Sequence, residues 1–187
     1  MVEYMQGWAF IGILRSVSRV WGEGTISQLT DQFSDELKQL QKHQLQSSST
    51  YPISLTTEVL HHIEKAYGNG QGLGTKALGD EAGRLVVDSV LSVYRGVGDL
   101  SRALGAFPRT WQKIYPDSKL NAEIVSVSET EGVVRIQKFP ENSDLWMPFW
   151  AGWFRGYLTV AIGSNTAVSV RAKEIDSAVE FHISVIA

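Results

Sequence analysis

The sequence contains no cysteine, no excess of basic residues and no pattern typical of a signal peptide. Because none of the 187 residues is cysteine, disulfides, thiolate catalysis and Cys-ligated zinc or iron–sulfur centres are excluded, and a reducing, cytoplasmic location is expected. The formal net charge of −3 gives no general attraction to phosphate backbones, so nucleic acid is not an expected partner. The first residues, MVEYMQGWAFIGILRSV, lack a basic start and a small-residue cleavage site, so no secretion signal is predicted.

Residues that could form a catalytic centre are scattered along the chain. His43 and His182 are isolated, and neither a Ser/His/Asp order nor a pair of inward-facing carboxylates can be assigned. Glu58 and His61, followed by His62, form the E-x-x-H pattern of di-iron helical bundles, but no other helix provides the second copy that such a site needs. We therefore expect a protein that is not an enzyme, with no cofactor and no metal site.

The stretch GNGQGLGTKALG, residues 68–79, has the closely spaced glycines of a phosphate-binding loop. A P-loop places Lys and then Ser or Thr after its last glycine, and a buried strand precedes it. Here Gly74 is followed by Thr75 and then Lys76, and a helical pattern ending at Tyr67 precedes the loop. The glycines are therefore predicted to end one helix and to let the chain turn into the next, without binding a nucleotide.

The sequence does contain strong hydrophobic periodicity of the helical kind. Helices are predicted over about residues 4–21, 25–45, 55–67 and 75–94, with two shorter helical pieces at 98–105 and 108–115. Thr25 and Gln28 form a capping box that is predicted to start the second helix. The apolar stripe of the first helix consists of Trp8, Ile11, Leu14, Val17 and Trp21. The fourth helix is expected to bury Val90 and Val93, and its Gly79 and Gly83 allow another element to approach closely.

The period of the pattern then changes from helical to alternating, which predicts strands. The segments AEIVSVSE and VVRIQKF read as one β-hairpin, and AVSVRAKE and AVEFHISVI read as another. An aromatic helix over residues 145–163 lies between the two hairpins. This order predicts an α+β fold in one domain, 1–187, with a helical part (1–118) and a hairpin–helix–hairpin part (119–187) that forms a four-stranded antiparallel sheet.

The aromatic helix is the most informative segment for function. Its one charged residue is Arg155 and its length approaches that of a membrane span, but Pro148 and three glycines favour a buried helix, so no membrane span is predicted. Wide aromatic rings beside small residues line an apolar ligand pocket in one interpretation and form a tight core in the other. The candidate ligand-binding residues are Trp111, Trp146, Trp150, Trp153, Phe154 and Tyr157.

Several of these segments resemble a known group of proteins. GWAFIGILRSVSRVWG is similar to the opening helix of haem nitric-oxide-binding domains, and ALGDEAGRLVVDSV with FPRTWQKIYPD is similar to their helical stretch before the sheet. The same layout occurs in 4-vinyl reductase domains, in TRAPP vesicle-tethering subunits and in an uncharacterised, myxobacterial-type bacterial family of this ligand-binding superfamily. The resemblance implies an α+β fold with a sensory or ligand-binding role.

Two departures from the haem-binding members bear on the cofactor. Their iron-ligating histidine lies seven residues before the tyrosine of a Tyr-Pro pair, and that position is Pro108 in this sequence. Their Y-x-S-x-R motif, which holds the haem propionates, is replaced by IQKFPENSD, and the cysteines of the 4-vinyl reductase type are absent. The resemblance therefore implies the fold without its haem, and it is nearest to the uncharacterised bacterial family.

Two functional hypotheses follow from the sequence. In the first, the protein is a non-enzymatic sensory domain that binds an apolar small molecule, such as an acyl chain, between the aromatic helix and the first helices. In the second, it is a protein-interaction module that forms a homodimer or docks a partner without a ligand. An aromatic-lined cavity of at least about 300 Å³ would favour the first hypothesis, and a filled core with an exposed apolar patch would favour the second.

Overall fold

The computed structural model describes residues 3–42, 44–116, 119–137, 143–163 and 166–186. His43 and residues 138–142, which include most of the segment that replaces the Y-x-S-x-R motif, lie outside the described residues. The helices are α1 (Gly7–Trp21), α2 (Thr25–Thr30), α3 (Asp35–Lys42), α4 (Ile53–Tyr67), α5 (Leu73–Ser89), α6 (Leu100–Gly105), α7 (Phe107–Ile114) and α8 (Ser143–Ile162). The strands are β1 (Tyr4–Gln6), β2 (Thr50–Pro52), β3 (Asn121–Val127), β4 (Glu131–Gln137), β5 (Ala167–Ile175) and β6 (Ala178–Ile186).

The four-stranded sheet confirms the predicted fold class. Strands β3, β4, β6 and β5 lie in that order and are all antiparallel, so each predicted hairpin is present and the two join through β4 and β6. Alternation along the central strands places Val134, Ile136 and Phe181 in the buried core. The sheet packs against α6, α7 and α8, which gives an α+β fold whose helical part precedes the strands.

The chain before α1 and the region predicted as one long second helix differ from expectation. β1 pairs with β2 in a small antiparallel sheet, which was predicted as helix and loop. The segment after Gly24 forms two helices because Ser34 starts a new one: its Oγ accepts a hydrogen bond from the Leu37 N–H, and its hydroxyl donates to Glu58 at 2.8 Å. The capping box was wrong, since Gly24 is the N-cap of α2 and no side chain caps that end.

Helix α5 is shorter than predicted at its C-terminal end. It ends at Ser89, and the Leu91 N–H bonds the Val86 carbonyl five residues back, which closes the last turn and redirects the chain. A short 3₁₀ turn, Ser92–Tyr94, follows. Val90 and Val93, predicted as buried, are therefore exposed, with 47% and 78% of their surface accessible.

Helices α5 and α8 pack backbone against backbone at a contact that we call the glycine seam, formed by Gly79 and Gly83 of α5 and Gly152 and Gly156 of α8. A Cβ on any of the four would lie closer than 3.0 Å to backbone atoms of the opposite helix. Asp80 accepts hydrogen bonds from Arg155 of α8 at 2.8 Å and from Arg84 at 3.1 Å, so an ion pair lies beside the seam. The predicted close approach at Gly79 and Gly83 is confirmed, and α8 is the element that makes it.

Candidate functional site

The glycine-rich loop between α4 and α5 holds a carboxylate of the protein itself. Glu64 is buried, and its carboxylate accepts hydrogen bonds from the backbone N–H groups of Gly72 at 2.8 Å and Thr75 at 3.1 Å. Gly72 is the N-cap residue of α5 and Thr75 lies in its first turn, where the helix dipole favours an anion. A Cβ on Gly68 would overlap the Glu64 carboxyl group, so this glycine is required by close approach. The loop is a helix connector, as predicted, and its N–H groups at the start of α5 are bonded to the carboxylate of Glu64.

The glutamate and histidines of the E-x-x-H pattern on α4 have partners close to them in the fold. Glu58 is engaged by Ser34, and burial together with the neighbouring His61 lowers the pKa of His62 below its ordinary value. The ring of His62 packs 5.4 Å from that of Phe33. Within the residues that the structure describes, no three metal-ligating side chains lie together. The E-x-x-H pattern therefore has local packing partners instead of a second ligand set.

All six aromatic residues predicted as ligand-binding are buried in one continuous cluster of α7 and α8. The polar atoms of three of them bond to protein: the indole N–H of Trp111 donates to the Leu120 carbonyl at 2.9 Å, that of Trp146 donates to the Thr57 hydroxyl at 3.0 Å, and the Tyr157 hydroxyl donates to the Ala103 carbonyl at 2.7 Å. Burial raises the pKa of Tyr157, which keeps its hydroxyl in the donating form. These contacts are those of a packed core.

Two of the six residues, Trp150 and Trp153, also line a cavity of about 410 Å³ between α1, α5 and α8. Its walls are mostly apolar, and they combine deeply buried residues with exposed ones, so the cavity extends from the interior to the surface. Trp111, Trp146, Phe154 and Tyr157 do not line it. The lining also includes Trp8, Gly12, Arg15, Arg19 and Phe149.

The buried side of α1 differs from its predicted apolar stripe, because part of that stripe faces this cavity instead of the core. Phe10 and Val17 are buried and do not line the cavity, Ile13 is buried and contributes to its wall, and Trp8 and Ile11 are half-buried and line it. Sequence reasoning missed Trp8 and Phe149 as candidate site residues, although Trp8 had been placed on the apolar stripe of its helix. The orientation of α1 about its own axis decides which of its aromatic rings face the cavity. Tertiary contacts set that orientation.

Polar groups occur on the cavity wall and beside it. The indole N–H of Trp150, a lining residue, and the hydroxyl of the neighbouring Tyr115, which does not line the cavity, make no hydrogen bond of normal geometry within the described part of the chain. Burial raises the pKa of Tyr115 well above its ordinary value, and the nearby Trp150 indole opposes that rise. At the exposed end lie Arg15 and Arg19, one helical turn apart on α1.

Helix α8 had the composition closest to that of a membrane span. Across the described segments, no helix combines the length and the apolar character that crossing a bilayer requires.

Comparison with known proteins gives a fold but no family. No protein-family model and no curated protein matches this sequence. The unliganded Fe(II) H-NOX protein from K. algicida aligns with a TM-score of 0.71 at 16% identity, over 98% of this chain and 97% of that chain. An oxygen-binding H-NOX domain related to soluble guanylate cyclases aligns with a TM-score of 0.68 at 8% identity, over 97% of this chain and 94% of that chain.

At these identities the likeness shows the fold alone, which is that of H-NOX domains, the haem nitric-oxide-binding domains of the sequence resemblance. That part of the resemblance is confirmed. The likeness to 4-vinyl reductase domains, TRAPP subunits and the myxobacterial-type family stays a prediction.

Proposed function

We propose that the protein is a non-enzymatic sensory domain that binds an apolar small molecule, such as an acyl chain, in the cavity between α1, α5 and α8. The observation that carries this proposal is the cavity itself, whose volume of about 410 Å³ falls within the range of small-molecule sites and whose inner wall includes Phe149, Trp150 and Trp153. The H-NOX-like fold supports a sensory role, because its matched relatives include an oxygen-binding domain. The cavity also favours this hypothesis over the protein-interaction module, for which a filled core was expected. Homodimer formation stays a prediction.

The residues around α7 do not fit a haem. Pro108, in the first turn of α7, has no lone pair to offer iron. The space beside that helix is filled by aromatic rings, with the centroids of Trp111 and Trp150 only 4.7 Å apart. None of the histidines in the described ranges lines the cavity: His61 and His62 lie on α4, and His182 lies on β6 beside Glu180.

We accordingly expect that hemin added to the purified protein gives no sharp Soret band, because no axial ligand is positioned for iron. Absorption spectra recorded during a hemin titration check this. Myoglobin apoprotein treated in the same way is the positive control. A stoichiometric complex that is lost on replacing a single histidine would contradict the expectation and would restore haem as the ligand of this fold.

The proposed cavity is tested by filling it from Gly12. This residue lines the cavity, and a Cβ added to it would meet no atom within 4 Å. Gly12→Phe is expected to weaken binding of the neutral dye Nile red by at least about tenfold, since the ring occupies the space that the dye needs. The measurement is a fluorescence titration of the full chain.

Gly12→Ala is the matched control for that titration. It adds only the Cβ, so binding should persist while the helix gains about 0.5–1 kcal/mol of stability. Wild-type binding that survives unchanged in Gly12→Phe would place the dye elsewhere and would refute the cavity as the ligand site.

A further inference from the structure

The cavity changes character along α1. Trp8 and Gly12 face it near the aromatic wall, and Arg15 and Arg19 follow on the same side of the helix. With a rise of about 1.5 Å per residue, the distance from Trp8 to Arg15 along the axis is about 10 Å. One side of a single helix therefore presents an apolar section and then a cationic one to the same space.

The charges at this end are not balanced within the protein. Arg19 pairs with Glu81 at 3.1 Å, and Asp88, which also lines the cavity, pairs with Arg95. Arg15 is exposed at the cavity mouth, and no other described residue forms a hydrogen bond or an ion pair with it. One positive charge remains where the apolar cavity meets solvent.

We propose that the ligand is an amphiphile whose apolar part fills the cavity and whose anionic head group lies against Arg15. This inference rests on the proposed function, because it names the chemical class of the ligand in that cavity. A neutral head group such as a hydroxyl offers the guanidinium one uncharged acceptor, whereas a carboxylate or phosphate accepts two hydrogen bonds at once and adds the attraction of opposite charges. Arg19, held by Glu81, borders the same position and adds to the positive potential there.

The test compares two ligands with the same alkyl chain, decanoate and decanol, as competitors of Nile red on the full-length chain at a pH where decanoate is ionised. Decanoate is expected to bind roughly 3- to 10-fold more tightly than decanol, the range of a partly exposed ion pair. Arg15→Gln should remove this difference by weakening decanoate only. Arg102→Gln, a substitution of an exposed arginine on α6 away from the cavity, should leave both affinities unchanged.

The outcomes separate the two levels of the proposal. Equal affinities for decanoate and decanol, or a decanoate affinity that Arg15→Gln does not alter, would overturn the anionic head group and leave the apolar cavity standing. Failure of both compounds to displace the dye, in a protein whose unfolding transition is normal, would overturn both proposals. A preference for decanoate that depends on Arg15 supports both.

Discussion

Gly156→Ala is expected to lower the free energy of unfolding by about 3 kcal/mol or more. The added Cβ would overlap the carbonyl of Asp80 on α5, which is backbone and cannot move aside as the end of a side chain can. Relief requires the two helices to separate, and separation would weaken the ion pair between Asp80 and Arg155 as well. Urea denaturation followed by tryptophan fluorescence measures the change.

Gly12→Ala is the control for this substitution too, because it places the same methyl group on a helical glycine with open space around it. It should be neutral or stabilising, by up to about 1 kcal/mol. If Gly156→Ala were as stable as the wild type, the backbone contact between α5 and α8 described above would be wrong.

The second large effect is expected for Trp111→Ala, at about 3–5 kcal/mol of lost stability. The ring is fully buried, it lies 4.7 Å from Trp150 and 4.6 Å from Tyr115 between ring centroids, and its N–H bonds the Leu120 carbonyl. Removing the ring leaves a void surrounded by packed groups and removes the hydrogen bond that the indole donates.

Trp153→Ala is the informative comparison for Trp111→Ala. The Trp153 ring also stacks on Tyr157 and is nearly as buried, but it lines the cavity, so part of its surface contacts no protein atoms. We expect it to cost less than Trp111→Ala, measured by the same urea transition. An equal loss of stability in the two variants would mean that Trp153 in the cavity wall is packed as tightly as Trp111 in the core.

The parts of the fold that could be predicted from the sequence are helices and strands whose hydrophobic pattern repeats along their whole length. In α8, aromatic residues recur at helical spacing from Trp146 to Tyr157, and every one of the predicted site residues within it is buried. The hairpins carry alternation over whole strands, and both are present. Long periodic segments are easier to predict from sequence, because many residues independently indicate the same secondary structure.

The features that were missed depend on contacts between distant parts of the chain. β1 has three residues and pairs only because Thr50–Pro52 lies beside it. The start of α1 is also held by a distant segment, since the Gly7 N–H donates to the Ser49 carbonyl and a Cβ on Gly7 would overlap the Gln46 carbonyl. No local pattern encodes either contact.

The Glu64 carboxylate has a consequence for the order in which the molecule folds. Its partners, Gly72 and Thr75, lie within the same short stretch of chain, so the contact closes a small loop at little entropic cost. The glycine seam instead joins segments far apart in the sequence, with Asp80 bonded to Arg155, 75 residues away. Local contacts of the first kind can form before distant ones. We therefore expect the α4–α5 pair to form early, and α8 to dock afterwards onto a surface that the Glu64 contacts help to shape.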